Sequence, residues 1–371
     1  CHKSVYHAVE LCALRPVYLF PEADPETGII GSVTPEQASR ALAEHPEAAL
    51  LILTSPTYEG VVSDITGIAE AAHGFRVPVL ADSAHGAHLG FSPEFPESAV
   101  RCGADIVVMS LHKTLPALTQ AALAHVSGTL VDEKRLAREL SVFETSSPSY
   151  VLMSSIDACV GLLEARGGRL FAAYAGALAG FYRRAEKLCR LKVLTGPAHP
   201  AFFSFDPGKL VVLTGGAGIG GARFAEILRE RYAIEIEMAG AGYIVAMTSI
   251  CDTAETLDRF TDALLEIDGE PGLSGPGPAP TACVRPEIRL PAYEAVFLDG
   301  ERLGLSDAEG RTALEYLWAY PPGIPLVVPG EAVTADVLRA VEQMAGAGIA
   351  VVSSSGDAGA VRCAFEGQKA K

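Results

Sequence analysis

Val79-Leu80-Ala81-Asp82-Ser83-Ala84-His85-Gly86-Ala87-His88 and Ile106-Val107-Val108-Met109-Ser110-Leu111-His112-Lys113-Thr114 decide how this chain is read. Each stretch opens as an apolar run of strand length and closes on a group that does chemistry, an aspartate in one and a lysine in the other. Between and around them lie segments of helical spacing, including 64–73 and 96–101. Strands alternating with helices at this interval predict βαβ units and a mostly parallel sheet with helices on both faces. In such sheets ligands collect beyond the carboxyl ends of the strands, which points to the residues after Leu53, Ala81 and Met109.

Upstream, the pattern predicts a helix over 5–14, a short strand over 15–20 ended by Pro21, and a strand over 48–54. A helix over 34–44 carries its own start signal, with Thr34 as cap, Pro35 in the first turn and Gln37 three residues on. Downstream, a long helix spans about 154–189, with Ala172, Ala173, Ala175 and Gly176 at close-packing spacing. The style then changes to strands over 209–214, 234–238 and 243–247 and helices over 222–231 and 253–267, a small α+β unit. The Gly/Pro-rich stretch from Asp268 reads as a linker. Beyond it come a helix over 306–319, the stiff run Tyr320-Pro321-Pro322-Gly323-Ile324-Pro325, a strand over 326–329 and a last helix from Thr334. The expected domains are 1–190, 191–268, a linker over 269–285, and 286–371.

With 45 acidic against 29 basic side chains in 371 residues and no extended basic run, a phosphate-backbone partner is not expected. The longest apolar runs are strand-length, well under the roughly 20 residues that cross a bilayer. Eight scattered cysteines without a C-x-x-C pair suit reduced thiols in a cytosolic protein.

A lysine amine condenses with an aldehyde, and an aspartate held against a pyridine nitrogen keeps that nitrogen protonated. The pair at adjacent strand ends therefore has a specific use with pyridoxal 5'-phosphate (PLP), whose protonated ring accepts electrons from a bond broken at a substrate α-carbon. The run from Val108 through Ser110, His112 and Lys113 to Ala121 resembles the PLP-lysine signature of the ornithine/lysine/arginine decarboxylase family, in the aspartate-aminotransferase fold group (fold type I). The resemblance extends through Asp82–His88, the opening Cys1-His2-Lys3-Ser4, Glu144–Tyr150, and Tyr320–Pro325 with Pro329-Gly330-Glu331.

It implies decarboxylation of arginine, lysine or ornithine, with Lys113 as the Schiff-base lysine and Asp82 on the pyridinium nitrogen. Ala84 would pack on one ring face and His2 on the other. His85 would lie in the loop beside the cofactor, and Ser110 and His112 beside the phosphate. Lys113 or His112 would return a proton to the α-carbon. Thr145 to Ser147 would reach a neighbouring subunit's cofactor, since this group builds its sites in homodimers or larger homo-oligomers. Ser83 stands where the family commonly has Glu. The family's glycine- and Ser/Thr-rich phosphate turn would lie upstream of Cys1, so a truncated phosphate cup is expected.

Other readings stay open. Another PLP reaction on this fold, transamination or elimination, would need an arginine for the α-carboxylate, with Arg223, Arg229 and Arg285 as candidates. A cofactor-free binding module is a third reading. Gly216-Ala217-Gly218-Ile219-Gly220-Gly221 fits G-x-G-x-x-G, but too few βαβ units surround it for a dinucleotide site, and a turn is expected. The His85-x-x-His88 pair lacks a third ligand nearby, and no metal is expected.

Overall fold

The computed structural model describes residues 1–196, 200–270, 277, 284–285, 287–320, 324–357 and 359–365. Its first part holds helices α1 (Lys3–Leu11) and α2 (Pro35–Glu44), strands β1 (Leu51–Thr54) and β2 (Val61–Val62), and helix α3 (Ile65–Gly74). Strands β3 (Val79–Asp82) and β4 (Ile106–Ser110), the short helix α4 (Leu111–Thr114), strand β5 (Ala122–Val126), and helices α5 (Glu133–Phe143) and α6 (Tyr150–Ala185) follow. The main sheet runs β1-β3-β4-β5, with β1, β3 and β4 parallel and β5 antiparallel at the edge. Register aligns Thr54 with Asp82 and Asp82 with Val108, so the strands end nearly level.

Local signals set several of these elements. Thr34 and Gln37 form the reciprocal capping box at the start of α2. Asp64 caps α3 through the Gly67 amide. The alternation in β1 and β3 buries Leu51, Leu53, Val79 and Ala81. This core continues without a break through Phe171, Tyr174, Leu178 and Phe181 of α6 into the next part of the chain.

That part holds β6 (Lys192–Val193), β7 (Ser204–Phe205), β8 (Lys209–Leu213), α7 (Gly221–Tyr232), β9 (Met238–Ala239), β10 (Tyr243–Met247) and α8 (Ala254–Gly269). Its antiparallel sheet runs β6-β8-β10-β9, while β7 pairs with β2 and ties the two parts together. The last part contains α9 (Ala292–Ala295), β11 (Gly300–Gly304), β12 (Leu317–Tyr320), β13 (Ile324–Val327), α10 (Ala335–Gly346), β14 (Ala350–Ser353) and β15 (Ala360–Ala364) around a second apolar core.

Five expectations change. Residues 15–20 form no strand, and the nearest ladder contact is a bridge from Ala23 to Ile30. Residues 96–101 form turns rather than a helix; Gly90 N–H donates to the Pro96 carbonyl, and Phe95 is anchored against Phe171 and Tyr174. The helix over 306–319 is a 3₁₀ turn at Leu305–Ala308 followed by β12. Ala313, Leu314, Tyr316, Leu317 and Ala319 are all buried, so apolar spacing there reflects a segment enclosed on both sides. Of the strand expected over 234–238 only Met238 pairs. Asp268 belongs to α8, where its carboxylate accepts the amides of Cys189, Arg190 and Leu191; most of the stretch to Thr281 and Pro321–Gly323 lie outside the described residues.

Candidate active site

The carboxyl ends of β3 and β4 deliver the two groups singled out by sequence. Asp82 is the last residue of β3, half-buried, and its Oδ1 accepts the Ala84 amide at 3.1 Å. Among the described residues no other hydrogen bond reaches this carboxylate, leaving its second oxygen available. Ser83 is buried and knits the strand ends together: its hydroxyl donates to the Ser55 carbonyl at 2.6 Å and its amide to Val108 at 2.9 Å. The serine thus fills its position with short neutral bonds where the family commonly has a carboxylate.

Lys113 extends from α4, which follows β4 directly. Its Nζ lies 3.0 Å from Nε2 of His85 and 5.8 Å from the centre of the Tyr58 ring. Burial lowers its pKa from the ordinary lysine value, opposed by the negative charges of Glu237 and Asp82. His85 is 3% exposed, is packed on Tyr58 with ring centres 4.4 Å apart, and meets a second lysine, Lys209, at 2.7 Å from Nδ1. Burial first, then the Lys209 and Lys113 charges, push the His85 pKa far down, so the ring is neutral.

His2 caps α1, its Nδ1 accepting the Ser4 amide, and lies close enough for the charges of Asp82 and Lys113 to act on it. Burial is the main cause of its lowered pKa. Ser110 stands at the end of β4 with no cap hydrogen bond to its hydroxyl. His112 points Nδ1 at the Ala121 carbonyl, 2.9 Å away, which assigns the proton to Nδ1. A neutral His112 therefore offers Nε2 as an acceptor, and it can donate to a phosphate oxygen only as imidazolium.

The structure brings Asp82, Ala84, His85, Lys113 and His2 together around the strand ends. Thr145 to Ser147 are elsewhere, exposed between α5 and α6. Arg223 and Arg229 pair with Glu226 and Glu235 on the exposed side of α7, and Arg285 lies over the Phe20 ring. His88 pairs with buried Asp206 at 3.1 Å, so the two histidines of His-x-x-His face different partners. The glycines of 216–221 serve packing: a Cβ on Gly216 would meet the Arg190 carbonyl oxygen, one on Gly221 the Tyr243 carbonyl oxygen, and Gly218 has φ of +70°.

Sequence reasoning missed Tyr58, Lys209, Asp206 and Glu237. Lys209 carried the one legible signal, a lysine heading an otherwise apolar strand.

The chain matches the Orn/Lys/Arg decarboxylase major domain over residues 1–185 and the C-terminal domain of the same family over residues 289–346. It is 36% identical over 358 residues to the arginine decarboxylase of Bacillus subtilis, covering 94% of this chain and 72% of that protein. To the arginine decarboxylase of Halalkalibacterium halodurans it is 34% identical over 364 residues, with 96% and 74% covered. Among solved structures, the lysine decarboxylase of Francisella novicida superposes with a TM-score of 0.81 at 19% identity, over 98% of this chain and 65% of that one. An alanine–glyoxylate aminotransferase from Nostoc sp. superposes over 64% of this chain and 67% of that one, with a TM-score of 0.52 at 17% identity. The chain spans about two thirds of the length of the solved lysine decarboxylase. The fold is therefore that of the PLP-dependent transferase-like α/β proteins of fold type I. Within it, this chain belongs to the Orn/Lys/Arg decarboxylase family.

The residues present fit the cofactor that this family implies. Asp82 keeps an oxygen free at a strand end, and Lys113 presents an amine beside a neutral ring. Two buried hydroxyls at the same strand ends, Thr54 beside Asp82 and Thr114 after Lys113, have no partner among the described residues.

Proposed function

We propose that this protein decarboxylates a basic amino acid, arginine being the first to test, with PLP held between His2 and Ala84. Asp82 would hold the proton on the pyridine nitrogen, and Ser110 and His112 would lie toward the phosphate. When bound, PLP supplies an aldehyde to an amine and an electron sink to a bond breaking at the substrate α-carbon. The observation that carries this reading is the placement of Lys113 and Asp82 at the ends of adjacent parallel strands, with His85 and Tyr58 enclosing the amine.

Each residue then has a task. Lys113, its pKa lowered by burial, presents the amine that would act as nucleophile. Tyr58 and His85 exclude water from one side of it. Lys113, or His112 through Nε2, carries the proton that replaces the lost carboxylate. Arginine leads because the relatives at 33–36% identity that carry a substrate name are arginine decarboxylases, whereas the lysine decarboxylases of Escherichia coli and Pseudomonas aeruginosa are 23–25% identical.

We also propose that a second copy covers the face around Thr145–Ser147. Helix α5 has no buried residue, and Val142, Phe143, Tyr150 and Val151 are 68–86% exposed.

The test uses the full gene product with added PLP and screens arginine, lysine and ornithine for CO2 and amine. Release of both from one substrate, lost in Lys113→Ala together with the near-visible absorbance of the PLP-loaded protein, is expected. A keto acid without CO2 would replace this reading with transamination, and absence of PLP binding would leave a binding module.

A further inference from the structure

Lys209 is fully buried at the first position of β8, and its Nζ lies 2.7 Å from Nδ1 of the same imidazole whose Nε2 lies 3.0 Å from Lys113. Its stem is fixed beneath the turn at Gly60, where φ is +100° and a Cβ would come within 2.8 Å of the Lys209 stem. Tyr58 packs against the ring at a tilt of 54° and limits its rotation. The three side chains therefore form a line of hydrogen bonds from the reacting amine into the interior.

A neutral imidazole has one N–H and one lone pair, so it cannot accept from two ammonium groups. If Lys209 is the ammonium, it donates to Nδ1, Nε2 carries the hydrogen, and that N–H donates to the lone pair of a neutral Lys113. If Lys113 is the ammonium, the tautomer and Lys209 must both reverse. One proton beyond neutrality is thus shared by the line.

We propose that Lys209 is a positioning residue for Lys113: by donating to Nδ1 of His85 it fixes the tautomer that holds the reacting amine as free base, and the line passes one proton between the lysines. In that transfer an N–H bond of the Lys113 ammonium breaks as Nε2–H forms, and Nδ1–H breaks as the Lys209 amine gains its proton. Charge moves from one lysine to the other, and no other reactant is needed. The inference rests on Lys113 being the reacting amine, as proposed above.

Acidic groups lie around the Lys209 end of the line. Asp206 is fully buried with Oδ2 lacking a partner among the described residues, and its charge acts on Lys209 together with those of Glu237 and Glu59. Burial works to lower the Lys209 pKa, which comes to about 8, with these acids opposing. Lys113 is faced by Glu237, Asp82 and His2, and His85 also by His88.

The test reads Lys113 in the full chain without cofactor, as its acylation rate against pH resolved by peptide mass spectrometry, with the His85 tautomer followed by ¹⁵N NMR. Lys209→Met should raise the pH at which Lys113 becomes reactive by at least one unit, which is about a tenfold slower acylation near neutral pH. It should also move the ring proton to Nδ1. Lys209→Arg, which keeps donor and charge, should restore the parental tautomer. If Lys209→Met does not fold, His85→Phe severs the line and should give the same tenfold loss. A folded Lys209→Met or His85→Phe chain with Lys113 reactivity within twofold of the parent would overturn the proposal. Because the readout needs no turnover, a chain that shifts as expected yet releases no CO2 keeps the line and loses the proposed reaction.

Discussion

Glu331→Gln tests the seam between the C-terminal part and α1. Glu331 is 3% exposed and accepts the Val328 amide at 3.0 Å through Oε2, with the Tyr18 hydroxyl facing it. Burial raises its pKa from 4.5 to about 7, although the Val328 amide and the Tyr18 hydroxyl favour the carboxylate. A carboxyl whose folded pKa lies above its unfolded one contributes stability that is fully present below the unfolded value, near 4.5. That contribution is lost as pH rises through the folded value. A shift of this size corresponds to about 3 kcal/mol between pH 4.5 and pH 8.

Glutamine keeps an acceptor for Val328 and never ionises, so the variant should match the parent at pH 5. At pH 8 it should exceed it by up to about 3 kcal/mol. Trp318 is the only tryptophan in the sequence and stacks on Tyr316, whose hydroxyl donates to Glu10 of α1 at 2.6 Å. Urea unfolding followed by its fluorescence therefore reports on this region. A stability difference that does not grow with pH, or a parent more stable than the variant at pH 8, would refute the reasoning.

Asp82→Asn should cut turnover by about 10²–10⁴-fold, the usual range for a positioned proton-holding group, while leaving Lys113 trappable by borohydride with PLP; undiminished turnover excludes the role. Asp268→Ala removes the acceptor of three backbone amides, one of them the buried Leu191, and should cost about 2–4 kcal/mol in denaturant unfolding. A loss under 0.5 kcal/mol would mean that water replaces those bonds. Phe143→Glu should shift sedimentation from dimer toward monomer; an unchanged oligomer places the subunit contact on another face.

The site was partly legible because its first groups are strand-end residues. Asp82 and Lys113 close apolar runs in single βα units, and the parallel sheet aligns such ends wherever it forms. The caps at Thr34 and Asp64 were equally open to reading, since their partners lie three residues away. Residues 306–319 were not legible: a segment buried on both sides shows apolar residues at spacings that suit helix and strand alike, and its pairing with β13 and β14 is made by residues that follow it.

By itself the sequence determined the fold class and the family, and it singled out Lys113 and Asp82 as candidates, because each depends on short-range pattern. Only the tertiary structure decided what surrounds them. Lys209 meets His85 across 124 positions of chain, and Asp206 meets His88 across 118. Those contacts exist because β8 packs beside the strand ends, and no local spacing records that a buried lysine would find an imidazole there.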